Sequence, residues 1–174
     1  MMVTPVVLML LVTAVPAAQQ VTKETVAGVT NFARLETTVA CAGVTTTDAI
    51  PAIKRMGFAS IINLRLATEN GANIEAEETA AKAAGLRFYH FPISTQSPDP
   101  AVVGQFLDVI TTPGSEPAFI HCAAGGRAAM MWLVKRLVVD HWETERAVTE
   151  ATALGLTNER WKQFAIDYAK TNPR

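Results

Sequence analysis

With 174 residues, the chain is long enough for one ordinary domain with a sizeable core and needs no second. Its 15 basic and 16 acidic side chains are intermixed and leave a net charge of −1, which excludes the electrostatic footprint of a nucleic-acid or acidic-lipid binder. Two cysteines and three histidines without metal-ligand spacing exclude a zinc site, so neither a metal nor a cofactor is expected.

Residues 1–18 carry no charge. Val6-Val7-Leu8-Met9-Leu10-Leu11-Val12 has the character of a signal-peptide core, and Val15-Pro16-Ala17-Ala18 supplies small residues suited to signal peptidase, although the usual basic start is missing. An uncleaved anchor wants about 20 apolar residues, and Thr4, Pro5, Thr13 and Pro16 break this run. A buried helix is the third alternative. The preferred reading is cleavage and export to the periplasm or beyond, with no membrane attachment afterwards. No cysteine follows the apolar run, so a lipoprotein is not expected.

Gln19 to about residue 36 is polar and of mixed pattern, a partly ordered lead-in to a domain over 37–174. From there the pattern alternates. Short apolar runs predict strands over 37–41, 59–64, 86–91 and 117–121. Helical periodicity predicts helices over 46–56, 74–84, 100–111, 127–139, 143–153 and 158–170. Thr46 or Thr47 is placed to cap the first helix, Gly57 and Gly85 to end helices, and Ser97-Pro98-Asp99-Pro100 to start one. Trp142, Leu154, Leu156, Trp161, Phe164 and Tyr168 fall at core spacing in the C-terminal helices. Strands separated by helices imply an α/β fold: one domain with a mainly parallel central sheet flanked by helices.

The chemistry concentrates at Ala118-Phe119-Ile120-His121-Cys122-Ala123-Ala124-Gly125-Gly126-Arg127. Cys122 falls where a buried strand ends, at the carboxyl edge where such sheets bind ligands. Ala123, Ala124, Gly125 and Gly126 carry little side chain, so their N–H groups can converge on one anion, reinforced by the helix dipole. Arg127 adds a planar, permanently charged fork. The same field favours a thiolate over the free thiol, whose pKa is about 8.5. A buried structural cysteine, a glycine turn and a surface arginine would explain the pieces singly, but not their order. Cys41, on a predicted strand, has two readings: a small buried residue, or a redox partner whose pairing with Cys122 would switch the site off.

At these residues the chain resembles the cysteine-based phosphatase superfamily. Its loop of four residues between Cys122 and Arg127 is similar to that of the bacterial phosphatase-like family related to dual-specificity phosphatases, the phosphatase-like domain of beta-lactamase-hydrolase-like proteins. Rhodaneses also use a short loop. Val44 to Arg65, with its helix, Gly57 and a strand ending Asn63-Leu64-Arg65, is similar to the first family, as are Ala84 to Pro92, Trp142 and Gly155-Leu156-Thr157.

The resemblance implies a cysteine-phosphatase-like fold, with Cys122 as nucleophile, Ala123 to Gly126 and Arg127 as the phosphate cradle, and His121 tuning the thiol. By residue type alone, a satisfied core histidine at a strand end is the other reading of His121. The resemblance also implies a general acid a few residues past Phe91-Pro92. Ile93-Ser94-Thr95-Gln96 stand there instead, which leaves Asp99 as the nearest downstream carboxylate, with helix capping as its other role. Relatives often carry Ser or Thr after the arginine, where this chain has Ala128. Arg65 is a substrate contact or a structural ion pair, with Glu69 to Asn73 as a loop over the pocket.

Three functions follow. The leading one is hydrolysis of phosphate monoesters, on a small molecule or a phosphoprotein, through a phosphocysteine. The second is sulfur transfer through a Cys122 persulfide, and the third is anion binding without turnover.

Overall fold

The strand that ends at Cys122 lies inside the sheet. In the computed structural model, which describes residues 20–174, β6 (Ala118–His121) is buried along its whole length. On one side it pairs in parallel with β3 (Val39–Ala42), on the other with β4 (Ser60–Asn63), and β4 pairs in parallel with β5 (Arg87–His90). Strands covered on both faces favour consecutive apolar residues, as Ile61-Ile62 and Phe119-Ile120 supply.

The lead-in reading is corrected here. Residues 21–35 contain β1 (Val21–Lys23) and β2 (Ala33–Leu35), which extend the sheet antiparallel from β3 in the order β1-β2-β3-β6-β4-β5. Each is three residues long, and β1 is largely exposed, so neither carries a periodic signal. The expected signal peptide lies outside the described residues.

Alternation along the strands divides the core in two. Phe119, Ile61, Ala40 and Ala42 face α1 (Ile50–Arg55) and α2 (Ile74–Ala83), with Phe58 edge-on to Phe119. Ile120, Ile62, Cys41 and Cys122 face the opposite side, which α3 (Pro100–Ile110), α4 (Gly126–Val138), α5 (Thr144–Ala153) and α6 (Glu159–Thr171) cover. α4 is buried on nearly every side, so its charges need partners. Arg136 donates to Glu150 at 2.7 Å, and Glu150 also accepts from the Trp132 indole at 2.7 Å.

The predicted punctuation holds at Gly57 and Gly85, with φ of +93° and +72°, and at α3, which Asp99 caps. It fails at Thr46 and Thr47: a 3₁₀ turn over Thr47–Ala49 precedes α1, and neither helix start has a side-chain cap.

Candidate active site

The cysteine loop is set by its neighbours on the sheet edge. The Cys122 N–H continues the β3 ladder by donating to the Ala42 carbonyl at 3.1 Å. Beyond it, the Ala123 carbonyl accepts from the Val44 N–H at 3.2 Å, and the Ala124 carbonyl accepts from the Asn31 side-chain amide at 3.1 Å. Gly125 then takes φ +95°, a left-handed conformation that a Cβ would strain, and caps α4. Its N–H donates to Cys122 Sγ at 3.1 Å. Cys122 is 2 % exposed, at the base of the loop. Because the first turn of a helix leaves its N–H groups without intrahelical acceptors, Gly126 and Arg127 have N–H groups to offer an anion.

Arg127 is buried and heavily bonded. Its Nη1 donates to the carbonyls of Leu64 at 3.1 Å and Ile93 at 2.8 Å and to Glu69 Oε1 at 2.6 Å, while Nη2 donates to Glu69 Oε2 at 2.8 Å. A guanidinium has five N–H donors, so Nε and the second Nη2 hydrogen remain for the sulfur or an oxyanion. Burial alone would lower the Arg127 guanidinium, but the bond to Glu69 and the charge of Cys122 outweigh it and hold it above its ordinary value. In return, the Arg127 bond holds the Glu69 carboxyl at about 2, from an ordinary 4.5. Glu69 is therefore ionised at neutral pH and cannot serve as the proton donor.

Arg65 is 4 % exposed and folds its own loop: it donates to the Asn70 carbonyl at 2.5 Å and the Gly71 carbonyl at 3.3 Å, with Glu69 Oε2 at 3.5 Å. These bonds correspond to the structural one of its two expected roles. The loop over 66–73 runs back to the arginine of the cradle through Glu69.

On the opposite face of β6, His121 Nε2 lies 2.6 Å from Glu77 Oε1, and the Asn63 amide donates to Glu77 Oε2 at 2.7 Å. Asn63 Oδ1 accepts from the Arg65 N–H at 2.8 Å. All three side chains are buried, and His121 Nδ1 has no partner. One carboxylate from α2 thus ties the end of the strand that carries Cys122 to the start of the Arg65 loop.

Asp99 is exposed and accepts from the Ala101 N–H at 2.9 Å, and no hydrogen bond joins it to Cys122 or Arg127. The segment leading to it is pinned by α6: the Trp161 indole and Arg160 both donate to the Thr95 carbonyl, at 3.1 and 3.2 Å. The Trp161 ring also covers Gly126, where a Cβ would lie 2.8 Å from Cζ3. Cys41 and Cys122 are both free thiols on the same sheet face. Burial pushes the Cys41 thiol well up, and the charges of Cys122 and Glu150 add to it.

Of the expected site residues, the structure brings Cys122, Arg127 and the small-residue loop together at one end of β6, with His121 beside them in the chain but facing α2. Sequence reasoning did not single out Glu69, Glu77 or Asn31. Glu77 left a faint trace, since it shares the buried side of α2 with Ala81 at i, i+4. Asn31 left none, being 93 residues from its partner. Among the described residues no group of side chains could hold a metal ion, and no helix is long and apolar enough to cross a membrane.

A mainly parallel α/β sheet with a cysteine, a small-residue loop and an arginine at the carboxyl end of an inner strand defines the cysteine-phosphatase-like fold. The sequence profile described as a DSP-PTPase phosphatase fused to NAD+ kinase matches residues 11–166, and the chain belongs to that family. It is 35% identical over 103 residues to the beta-lactamase hydrolase-like protein of Xylella fastidiosa strain Temecula1, an alignment covering 58% of this chain and 23% of that protein. The chain thus spans about a quarter of that relative's length.

Among solved structures it is similar to a putative phosphatase (DUF442) from Shewanella putrefaciens CN-32, with TM-score 0.69 and 17% identity over 84% of this chain and 96% of the other. It is also similar to the core catalytic domain of the PP-IP phosphatase SIW14 from S. cerevisiae, solved with citrate, with TM-score 0.66 and 16% identity over 83% and 88% of the two chains. A cysteine-to-serine variant of P. aeruginosa TpbA in complex with pTyr gives TM-score 0.65 and 16% identity over 91% and 93%.

Proposed function

We propose that this protein is an exported phosphatase that hydrolyses phosphate monoesters through Cys122. The observation that carries this reading is the setting of the sulfur: the Gly125 N–H points at it from 3.1 Å, and the Arg127 guanidinium beside it is fixed by Glu69. Such a site holds both a nucleophile and the oxyanions that form as it attacks.

In the first step Cys122 Sγ bonds to phosphorus as the phosphorus–oxygen bond to the leaving group breaks. The loop N–H groups and Arg127 hold the equatorial oxygens, and the leaving oxygen takes a proton, from Asp99 in this reading. Water then attacks phosphorus, the sulfur–phosphorus bond breaks, inorganic phosphate leaves, and the proton released from water returns to the acid. No metal takes part. The family membership and the fold shared with TpbA, which was solved with pTyr, support a phosphorylated small molecule or phosphoprotein as substrate.

Phosphate release from an aryl phosphate by the reduced protein, compared with Cys122→Ser, tests the reading. Turnover that disappears in the variant is expected, and turnover that survives it rules out the cysteine mechanism. Asp99→Asn should slow alkyl phosphates more than aryl phosphates, whose leaving group needs less help from an acid. Export is tested by the N-terminal residue of protein recovered outside the cytoplasm, expected near residue 19.

The short loop with Ala128 after it favours a second reading, in which Cys122 takes the sulfane sulfur of a thiosulfate-type donor as a persulfide, releases sulfite, and passes the sulfur to a thiol acceptor. A persulfide mass increment on Cys122, without phosphate release, would establish it.

A further inference from the structure

The peptide between Ala124 and Gly125 is held at both ends. Its carbonyl accepts from Asn31 Nδ2 at 3.1 Å, and its N–H donates to Cys122 Sγ at 3.1 Å. A trans peptide is planar with its C=O and N–H opposed, so fixing one direction fixes the other. We propose that Asn31 is a positioning residue for the cysteine site: by holding the Ala124 carbonyl outward, it keeps the Gly125 N–H aimed at the sulfur. This rests on the reading of Cys122 as the nucleophile.

The neighbouring peptide needs no such side chain, because the Ala123 carbonyl is held by the backbone N–H of Val44. The Ala124–Gly125 peptide is more exposed to reversal, since turning it over changes φ of residue 125, where glycine accepts either sign. Reversed, it would present the Ala124 carbonyl oxygen to a sulfur that must carry negative charge. Asn31 is itself well anchored. Thr30 donates to the Val44 carbonyl at 2.9 Å and Gly43 to the Thr30 carbonyl at 2.7 Å, and Asn31 takes φ +51°, which asparagine tolerates better than most residues. Its side chain is exposed, so substitution removes the amide without opening the core. The other ionisable groups acting on the sulfur, Arg127 from α4 and Cys41 from β3, are untouched by the change.

The test is the rate at which iodoacetamide alkylates Cys122 in the reduced protein at neutral pH, with Cys122→Ser as background. Asn31→Gly keeps the left-handed backbone and deletes the amide. Asn31→Asp sets a carboxylate against the Ala124 carbonyl. Loss of one neutral hydrogen bond predicts alkylation slowed about fivefold in Asn31→Gly, and further in Asn31→Asp, at nearly unchanged Tm. A parallel fall in kcat/KM on an aryl phosphate is expected. Rates within twofold of the unmodified protein in both variants, or faster alkylation, overturn the proposal, because a purely structural Asn31 would leave the rate alone or raise it by loosening the fold. Alkylation requires no turnover. Absence of phosphate release by the unmodified protein would therefore sink the hydrolase reading while the alkylation rates still decide the role of Asn31.

Discussion

Glu69 holds Arg127 with both carboxylate oxygens, at 2.6 Å to Nη1 and 2.8 Å to Nη2. Arg127 is thereby fixed by a residue from another loop, and its charge is compensated within the fold.

That pair makes stability depend on acid. The folded-state carboxyl of Glu69 is depressed to about 2 from 4.5, so its contribution is complete above about 4.5 and is lost as the pH falls toward 2. Discounted for its partial exposure, the contribution is about 2 kcal/mol. Denaturant midpoints between pH 5 and 2 should fall for the native protein, and the fall should be shallower in Glu69→Gln, whose phosphate affinity should also drop. Equal slopes would remove the carboxylate from the account.

The Trp161 ring occupies the space a side chain at residue 126 would need. A Cβ there would sit 2.8 Å from Cζ3, so Gly126→Ala should cost about 1–3 kcal/mol by overpacking. Trp161→Leu in the same chain should recover part of that loss. A double-mutant cycle on thermal unfolding measures the coupling, and additive effects would show that the two do not meet.

Glu77 satisfies His121 and Asn63 together, so Glu77→Ala leaves buried groups on two strands without a partner. The expected loss is about 2–4 kcal/mol by chemical denaturation. Glu77→Gln should lose less, since one amide oxygen still accepts, but its NH₂ then requires His121 or Asn63 to turn over. A loss below 1 kcal/mol in Glu77→Ala would place water in the gap.

Cys41 is fully buried and its thiol is pushed up by that burial, so it should stay unlabelled while Cys122 is alkylated in the native protein. Peptide mapping after brief exposure to iodoacetamide checks this. Comparable labelling of both would mean that the β3 face opens.

Residues whose role depends on near neighbours in the chain were legible. A buried apolar strand, a cysteine, two glycines and an arginine entering an apolar helix are contiguous from Ala118 to Val138, and their order carries the meaning. Gly57, Gly85 and Asp99 declared themselves through local backbone needs. The residues that hold the site from a distance did not. Glu69 reads as one more acid in a polar loop until the sheet brings it to Arg127, 58 positions on. β1 and β2 are too short to show a period, so the wall that supplies Asn31 looked like a tail. Arg65 had two roles of equal merit from its type alone, and its bonds to the carbonyls of Asn70 and Gly71 depend on a loop conformation that residue type does not declare.

Arg127 draws its acceptors from Leu64, Glu69 and Ile93, and the loop before it is steadied by Asn31 and Val44. These partners lie far upstream, on both sides of the strand that carries Cys122. The arrangement around Cys122 therefore has no local precursor: a chain released from the ribosome before residue 127, or one missing its first described strands, would lack the partners that hold it. The surroundings of Cys122 are thus assembled last, by segments that meet only once the strands on either side of β6 have paired.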